Sequence, residues 1–224
     1  MNNIYKNMWQ ESLPLLQKGE VNVDPFIFSK NDTRRGLTLI CRPSAEILTN
    51  IKSFLLGAQA VAPMQYFYPE SDIHLTVLSI ISCYPAFNLQ QINREKYIQL
   101  IKESLKDITP FNLNFKGITA SPGTILIKGF DEKGTLQLIR NNLRTNFKKS
   151  RLQNSIDKRY KIQTAHLTVI RFKEQLMQPG VFIEFLKQNR EVHFGTCKID
   201  KLELVYNDWY QRKENVHNLE TFKI

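Results

Sequence analysis

The tetrapeptide His-Leu-Thr-Val occurs twice in this chain, at His74–Val77 and at His166–Val169. Each copy lies in a run of apolar and β-branched residues, Ile73–Ile81 and Ala165–Phe172, which predicts a strand. Side chains alternate between the two faces of a strand, so the histidine and threonine of each copy share one face and the leucine and valine share the other. Each copy therefore presents an imidazole beside a hydroxyl, anchored by two core residues.

Similar patterns surround the two copies. A strand and a helix are predicted before each copy, and another helix after it. For the first copy these are the strand Gly36–Cys41, a helix beginning at Ser44 and the helix Asn93–Ile108. For the second copy they are the strand Thr124–Ile127 and the helices Gly134–Phe147 and Pro179–Gln188. Closing strands are predicted at Cys197–Tyr206 and Leu219–Ile224. This duplicated order predicts an α+β fold with two pseudo-symmetric lobes of mostly antiparallel sheet, outer helices and a central cleft that carries both motifs.

The chain divides at about residue 35. Residues 1–35 are expected to form an N-terminal extension, with an amphipathic helix at Ile4–Leu16 and a polar, turn-rich loop after it. Residues 36–224 are expected to form a single bilobal domain, because no long polar linker separates the two halves.

Two imidazoles and two hydroxyls in one cleft suit attack on a phosphodiester. A neutral imidazole accepts a proton from the attacking water or hydroxyl, and a protonated one donates a proton to the leaving oxygen. The hydroxyls of Thr76 and Thr168 can donate to the non-bridging oxygens, where negative charge must be stabilised. One isolated His-x-Thr is usually structural, but two of the four histidines, His74 and His166, occupy identical tetrapeptides.

These residues resemble the signature of the 2H phosphoesterase superfamily, which has two His-x-Thr/Ser motifs. The second motif, His166–Arg171, ends in arginine as is common in the family, and Phe115–Gly129 is similar to its inter-motif hairpin. The resemblance covers about Gly36–Ile224. It implies catalysis by His74, Thr76, His166 and Thr168 without a metal or other cofactor, with His166 as the base and His74 as the acid. The implied partners are an RNA end, a cyclic nucleotide or another phosphodiester. Residues 1–35 have no counterpart in minimal relatives, and His217 stands where relatives often carry tyrosine.

Four further residues are candidates for substrate binding. Arg171 lies five residues after His166, so strict alternation places it on the opposite face unless a β-bulge intervenes. Tyr206 and Tyr210 bracket an aromatic loop that could stack a base, although core packing is the usual role of such residues. Arg35 could reach the substrate phosphate or remain a surface charge.

Composition sets the broader expectations. The formal net charge of +10 favours an anionic partner, although a basic surface without a partner has the same composition. The three cysteines form no disulfide pattern, and the N-terminus lacks the features of a signal peptide, so we expect a cytoplasmic monomer that does not enter a membrane. The histidine spacings match no common zinc site.

Three functions remain open on sequence alone. The first is a metal-independent phosphodiesterase acting on a 2′,3′-cyclic phosphate or a related RNA-end or cyclic nucleotide bond. The second is a nucleotide- or RNA-binding module that uses the same cleft without turnover, although a pure binder has no need of both imidazoles. The third is action on a different anionic substrate, such as a sugar phosphate or a nucleotide signal.

Overall fold

Nine strands form one antiparallel sheet in the computed structural model, which describes residues 2–224. The strands are β1 (Arg34–Cys41), β2 (Tyr66–Phe67), β3 (Leu75–Pro85), β4 (Phe111–Ser121), β5 (Thr124–Phe130), β6 (Ala165–Arg171), β7 (His193–Ile199), β8 (Lys201–Asp208) and β9 (His217–Lys223). Their order across the sheet is β7-β4-β5-β6-β3-β1-β8-β9, and the short β2 pairs with β6. The predicted α+β class and mostly antiparallel sheet are confirmed.

Five α-helices accompany the sheet: α1 (Asn2–Lys18), α2 (Ala45–Val61), α3 (Arg94–Ser104), α4 (Thr135–Lys149) and α5 (Pro179–Gln188). Local sequence explains where several of them begin. The side chains of Ser44 and Asn93 accept hydrogen bonds from backbone amides in the first turns of α2 and α3. Pro179 is the first residue of α5. A backbone N–H at this position has no partner within the helix, so proline, which lacks the N–H, breaks no helical hydrogen bond there.

The fold contains two similar halves. The order β1-α2-β3-α3 in the first half repeats as β5-α4-β6-α5 in the second. The two halves join where the motif strands β3 and β6 pair, at Leu75 and Leu167. The pseudo-symmetric lobes are therefore two halves of one continuous sheet.

Helices pack behind both halves of the sheet. In one layer, α3 packs on α4 and α4 on β3; in the other, α2 packs on α5 and β7. The leucine and valine of each motif are fully buried beneath the cleft. Within residues 2–224, no helix combines the length and apolar character needed to cross a lipid bilayer.

The closing segment differs from its prediction. One strand was expected at Cys197–Tyr206, but the chain breaks at the exposed Asp200, whose carbonyl accepts a hydrogen bond from the amide of Ile224. As a result β7 forms the outer edge of one half, whereas β8 pairs with β1 and β9 in the other half. The sequence hides this crossover, because apolar residues alternate with charged ones on both sides of Asp200.

The N-terminal helix packs on the second half of the sheet. The hydroxyl of Tyr5 donates to the carbonyls of Gly129 and Ala165, and the hydroxyl of Ser12 donates to the carbonyl of Ala120. The guanidinium carbon of Arg190 lies over the Trp9 ring, 4.0 Å from the ring centre. Helix α1 thereby supports the strand that carries the second motif.

A cleft built by two paired motif strands

The two motifs face each other across the join between β3 and β6. Because Leu75 pairs with Leu167 in antiparallel register, His74 lies opposite Thr168 and Thr76 lies opposite His166. These four side chains are half-buried and line one cleft, with a free volume of about 190 Å³. The pairing of two equivalent leucines is what brings two distant tetrapeptides into one site.

A β-bulge lies at the last residue of each motif. Thr76 and Leu78 pair with consecutive residues of β1, which leaves Val77 as an extra residue; Val169 is extra on β6 in the same way. The bulge reverses the alternation of side chains beyond it. Arg171 consequently returns to the face of the catalytic candidates and lines the cleft.

The halves differ in charge at the second residue after each bulge. Ser79 in β3 is equivalent to Arg171 in β6, and both line the cleft. The guanidinium of Arg171 is fixed from behind, since Nε donates to the hydroxyl of Tyr68 at 3.2 Å and a terminal nitrogen donates to Asp24 at 3.3 Å. Arg171 is therefore a cation fixed in place on the side of the second motif.

Both imidazoles are oriented through Nδ1. Nδ1 of His74 lies 2.7 Å from the carbonyl oxygen of Asp72, which can only accept, so this nitrogen carries a proton. Nδ1 of His166 lies 2.8 Å from the hydroxyl of Thr164, which can donate or accept. With Nδ1 engaged, the Nε2 atom of each ring is the one free to act on a ligand.

The surroundings keep both imidazoles neutral. Burial lowers the pKa of His74 to about 4; Arg42 also lowers the pKa, whereas the carbonyl of Asp72 and the charge of Asp208 raise it in part. Burial, then Arg140 and His74, lower the pKa of His166 to about 4. In the ligand-free cleft neither imidazole carries a positive charge at pH 7. The surroundings of His74 favour its charged form more than those of His166 do, because the carbonyl of Asp72 and the charge of Asp208 raise the pKa of His74.

A buried arginine ties the motif strands together from behind. Arg140 of α4 is 1% exposed and donates to the carbonyls of Thr76, Val77 and Thr164 at 2.8–3.0 Å. Among residues 2–224, no carboxylate forms an ion pair with it. Burial lowers its pKa to about 10, so it remains a cation at pH 7. The guanidinium of Arg140 thus fixes both the bulge at Val77 and the backbone of Thr164, whose hydroxyl contacts Nδ1 of His166.

An arginine–tryptophan stack lies at the rim. Trp209 lines the cleft, and the guanidinium carbons of Arg159 and Arg34 lie 4.5 Å and 5.0 Å from the centre of its ring. Arg34 also forms an ion pair with Asp32 at 2.7 Å, whereas Arg159 is exposed. The rim therefore offers an aromatic surface and a cation with freedom to move.

Three residues expected to contact substrate lie outside the cleft wall. Tyr206 donates to the carbonyl of Phe87 and stacks on the exposed His217. Tyr210 is buried behind Arg171, where its hydroxyl donates to Asp24. Arg35 donates to backbone carbonyls of its own strand end. Alternation along β8 turns Asn207 towards the cleft and Tyr206 to the opposite face. Trp209, in the turn after the strand, is the aromatic residue of this loop that lines the cleft.

Sequence reasoning did not single out two supporting residues. Arg140 occurs at core spacing in α4, between the buried Ile139 and Leu143, and a charged residue on an apolar helix face is the pattern that could have identified it. Thr164 precedes its strand by one residue, and no pattern marks it. Within residues 2–224, His, Cys, Asp and Glu side chains form no group of three suited to hold a metal ion.

Comparison with known proteins gives a family and a fold for the chain. The model of the family described as "AKAP7 2'5' RNA ligase-like domain" matches residues 38–219. TT0787 of Thermus thermophilus has a TM-score of 0.60 at 18% identity, over 84% of this chain and 97% of that one. Escherichia coli LigT complexed with 3′-AMP gives 0.54 at 14%, over 85% and 98%, and ATU0111 of Agrobacterium tumefaciens gives 0.52 at 13%, over 95% and 97%. These likenesses show a common fold. No curated protein sequence matches the chain significantly.

Proposed function

The chain belongs to the AKAP7 2′5′ RNA ligase-like family of the 2H phosphoesterase superfamily, and from this premise we propose that it is a metal-independent phosphodiesterase acting on a 2′,3′-cyclic phosphate or a related RNA-end or cyclic nucleotide bond. The observation that carries the proposal is the pairing of the two motifs, which sets two imidazoles and two hydroxyls around one cleft. LigT, which shares the fold, has been crystallised with 3′-AMP, a nucleotide with a phosphate at its ribose.

The hydrolysis needs one imidazole to accept a proton and the other to donate one. A bound phosphodiester anion raises the pKa of both rings, because negative charge favours the imidazolium. His74 takes the proton, since its Nδ1–H donates to a carbonyl and the charge of Asp208 favours the cation. His166 stays neutral, because Arg140 and protonated His74 both oppose its ionisation.

The reaction then follows from these protonation states. Nε2 of His166 removes a proton from water as the water oxygen bonds to phosphorus, and Nε2 of His74 gives its proton to the leaving ribose oxygen as the old P–O bond breaks. Thr76 and Thr168 donate to the non-bridging oxygens, and Arg171 supplies a permanent positive charge. After release of the monoester, a proton returns from His166 to His74 through solvent.

Purified protein incubated with adenosine 2′,3′-cyclic phosphate in EDTA tests the proposal. Wild type is expected to release an adenosine monophosphate, and His74→Ala or His166→Ala should each lower kcat by about 10²–10⁴, the usual size of an acid or base contribution. The double variant should lose much less than the product of the two. His193→Ala, on the exposed edge of β7, is the matched control.

Several results would contradict the proposal or parts of it. Full turnover by both His74→Ala and His166→Ala would show that the two histidines are not catalytic. Binding of the cyclic phosphate by wild type without turnover would show that the cleft is a binding module. A substrate with a very good leaving group needs no acid, so it should restore the rate of His74→Ala and not that of His166→Ala. Restoration of the other variant reverses the two roles.

A further inference from the structure

The N-terminal extension reaches the back of the cleft at Asp24. Its backbone amide donates to the carbonyl of Phe172, the residue after Arg171, at 2.9 Å. Its carboxylate accepts from the guanidinium of Arg171 at 3.3 Å, and the side chains of both residues are mostly buried, at 14% and 18% exposed. Asp24 lies outside residues 38–219, which the family model matches. The contact behind Arg171 therefore comes from a part of the chain that the family match does not include.

The carboxylate of Asp24 is itself held by two further donors. Oδ1 accepts from the hydroxyl of Tyr210 at 2.8 Å and from the amide of Phe26 at 3.0 Å, which leaves Oδ2 for Arg171. Burial and the carboxylate of Asp24 raise the pKa of Tyr210, so its hydroxyl keeps its proton and remains a donor. A carboxylate with three donors has little freedom to rotate, because each of its oxygens has a defined partner.

Polar contacts continue from Asp24 to the rim of the cleft. A terminal nitrogen of Arg34 donates to the hydroxyl oxygen of Tyr210 at 3.3 Å, and the same guanidinium lies over the Trp209 ring. The guanidinium carbon of Arg171 lies 5.4 Å from the centre of the Tyr210 ring. Arg171 and Trp209, which both line the cleft, are therefore joined behind it by a network that passes through Asp24.

The loop that carries Asp24 is fixed on both sides of this residue. Before it, the amide of Asn22 donates to the carbonyl of Pro122 at 2.8 Å. After it, the guanidinium of Arg212 donates to the carbonyl of Ile27. The backbone of the loop therefore sets where the carboxylate stands.

Two contacts orient the guanidinium of Arg171. Tyr68 engages Nε and Asp24 engages Nη1, whereas neither engages Nη2, which is left for a ligand. Two contacts fix the plane of a guanidinium, while a contact at Nε alone would allow that plane to turn. The direction of Nη2 therefore depends on Asp24.

We propose that Asp24 is a positioning residue that holds Arg171 in the orientation required by the transition state, so that the N-terminal extension is part of the active site. The inference rests on the proposed function, in which Arg171 supplies positive charge to the phosphoryl oxygens. Loss of the carboxylate would make the cleft more positive, which does not weaken binding of an anionic substrate. It would, however, let the guanidinium turn away from the charge that develops during the reaction.

Asp24→Asn tests this role with adenosine 2′,3′-cyclic phosphate. Asparagine keeps the size of the side chain and an oxygen for Tyr210, but it loses the charged oxygen that binds Arg171. The value of kcat should fall by about 10–100-fold, the scale of a misplacement of about 1 Å, while KM changes by less than about threefold. In an Arg171→Ala background the same change should lower kcat by less than about twofold, because Asp24 acts through Arg171. Asp200→Asn, at an exposed position, is the matched control.

A purely structural role would give a different pattern. If Asp24 only stabilised the fold, Asp24→Asn would lower kcat equally with and without Arg171, or would leave kcat unchanged. Either result overturns the proposal, as does a rise in KM at constant kcat.

Magnetic resonance of isotopically labelled arginine side chains tests the orientation without turnover. Arg171→Lys identifies the signals of Arg171 by their loss. A guanidinium held at Nη1 rotates slowly about its Cζ–Nη bonds, so wild type should give separate Nη signals and Asp24→Asn one averaged signal. The same pattern in both proteins overturns the positioning role. If wild type leaves the cyclic phosphate intact, the proposed function fails, while the arginine signals still decide on Asp24.

Discussion

At the scale of single residues, the two histidines have the same lowered pKa but different neighbours. His74 donates to a fixed carbonyl, whereas His166 meets a hydroxyl that can reverse its role. Both imidazoles have a pKa of about 4 without ligand, lowered from 6.5 first of all by burial. An anion between them stabilises the charged form and raises that pKa.

Anion binding should therefore take up protons. Below about pH 4 the imidazoles are already protonated in the free protein, so anion binding adds no proton. Above the raised pKa of the complex the imidazoles are neutral in both the free and the bound protein. Proton uptake is therefore confined to the pH interval between these two pKa values. Sulfate, whose charge is constant in this range, should bind more tightly as the pH falls from 7.5 to 5.5. Calorimetry in two buffers of different ionisation enthalpy counts the protons. Zero uptake by wild type, or equal uptake by the protein lacking both histidines, would refute the assignment.

Arg140 provides a second residue-scale prediction. Arg140→Met leaves three backbone carbonyls without their donor and should lower the free energy of unfolding by about 2–4 kcal/mol. It also removes a cation that holds the pKa of His166 down, so the limb of the pH–rate profile that reports His166 should move to higher pH.

Arg140→Lys separates the two effects. Lysine keeps the charge but cannot reach three carbonyls, so stability should fall while the limb of the profile stays in place. Arg151→Met, at an exposed position, is the control for both measurements. An unshifted profile in the methionine variant would limit Arg140 to a structural role.

At the scale of elements, α1 supports the second motif strand. Tyr5 is buried, and its hydroxyl donates to Gly129 and to Ala165. Tyr5→Phe should lower the free energy of unfolding by about 1–3 kcal/mol, because two buried carbonyls lose their donor. Urea denaturation of this variant beside Lys6→Ala, an exposed change on the same helix, measures the difference. Equal midpoints for the two variants would show that α1 does not support β6.

Element patterns explain what the sequence could predict and what it could not. Period-two and period-3.6 spacing located the motif strands and most helices, and the repeated tetrapeptide indicated the cleft. The bulges at Val77 and Val169 were not predictable, because a bulge inserts a residue without changing the apolar pattern around it. Alternation alone places Arg171 on the face opposite the motif histidines, and the bulge at Val169 returns it to the cleft. Trp209 lies in the turn after β8, where alternation no longer applies, so the strand pattern could not select it.

At the scale of the whole molecule, charge and topology act together. The net charge of +10 suits an anionic ligand, and Arg171 and Arg159 line the cleft itself. The chain crosses from one half of the sheet to the other between β7 and β8. The half that contains β1 and β3 is therefore completed by the last two strands of the chain, β8 and β9. The division into residues 1–35 and 36–224 remains a prediction, with α1 packed on the sheet and β1 beginning at Arg34.

The pairing of Leu75 with Leu167 has a consequence for ancestry. Two identical half-length chains, each with one motif, would form the same edge-to-edge contact across a twofold axis and would already hold two imidazoles. Because its two chains are identical, such a dimer carries the same residue at the two positions that correspond to 79 and 171. Once the two halves belong to one chain their sequences can differ, so serine stands at 79 and arginine at 171, and the cleft gives a substrate one preferred direction.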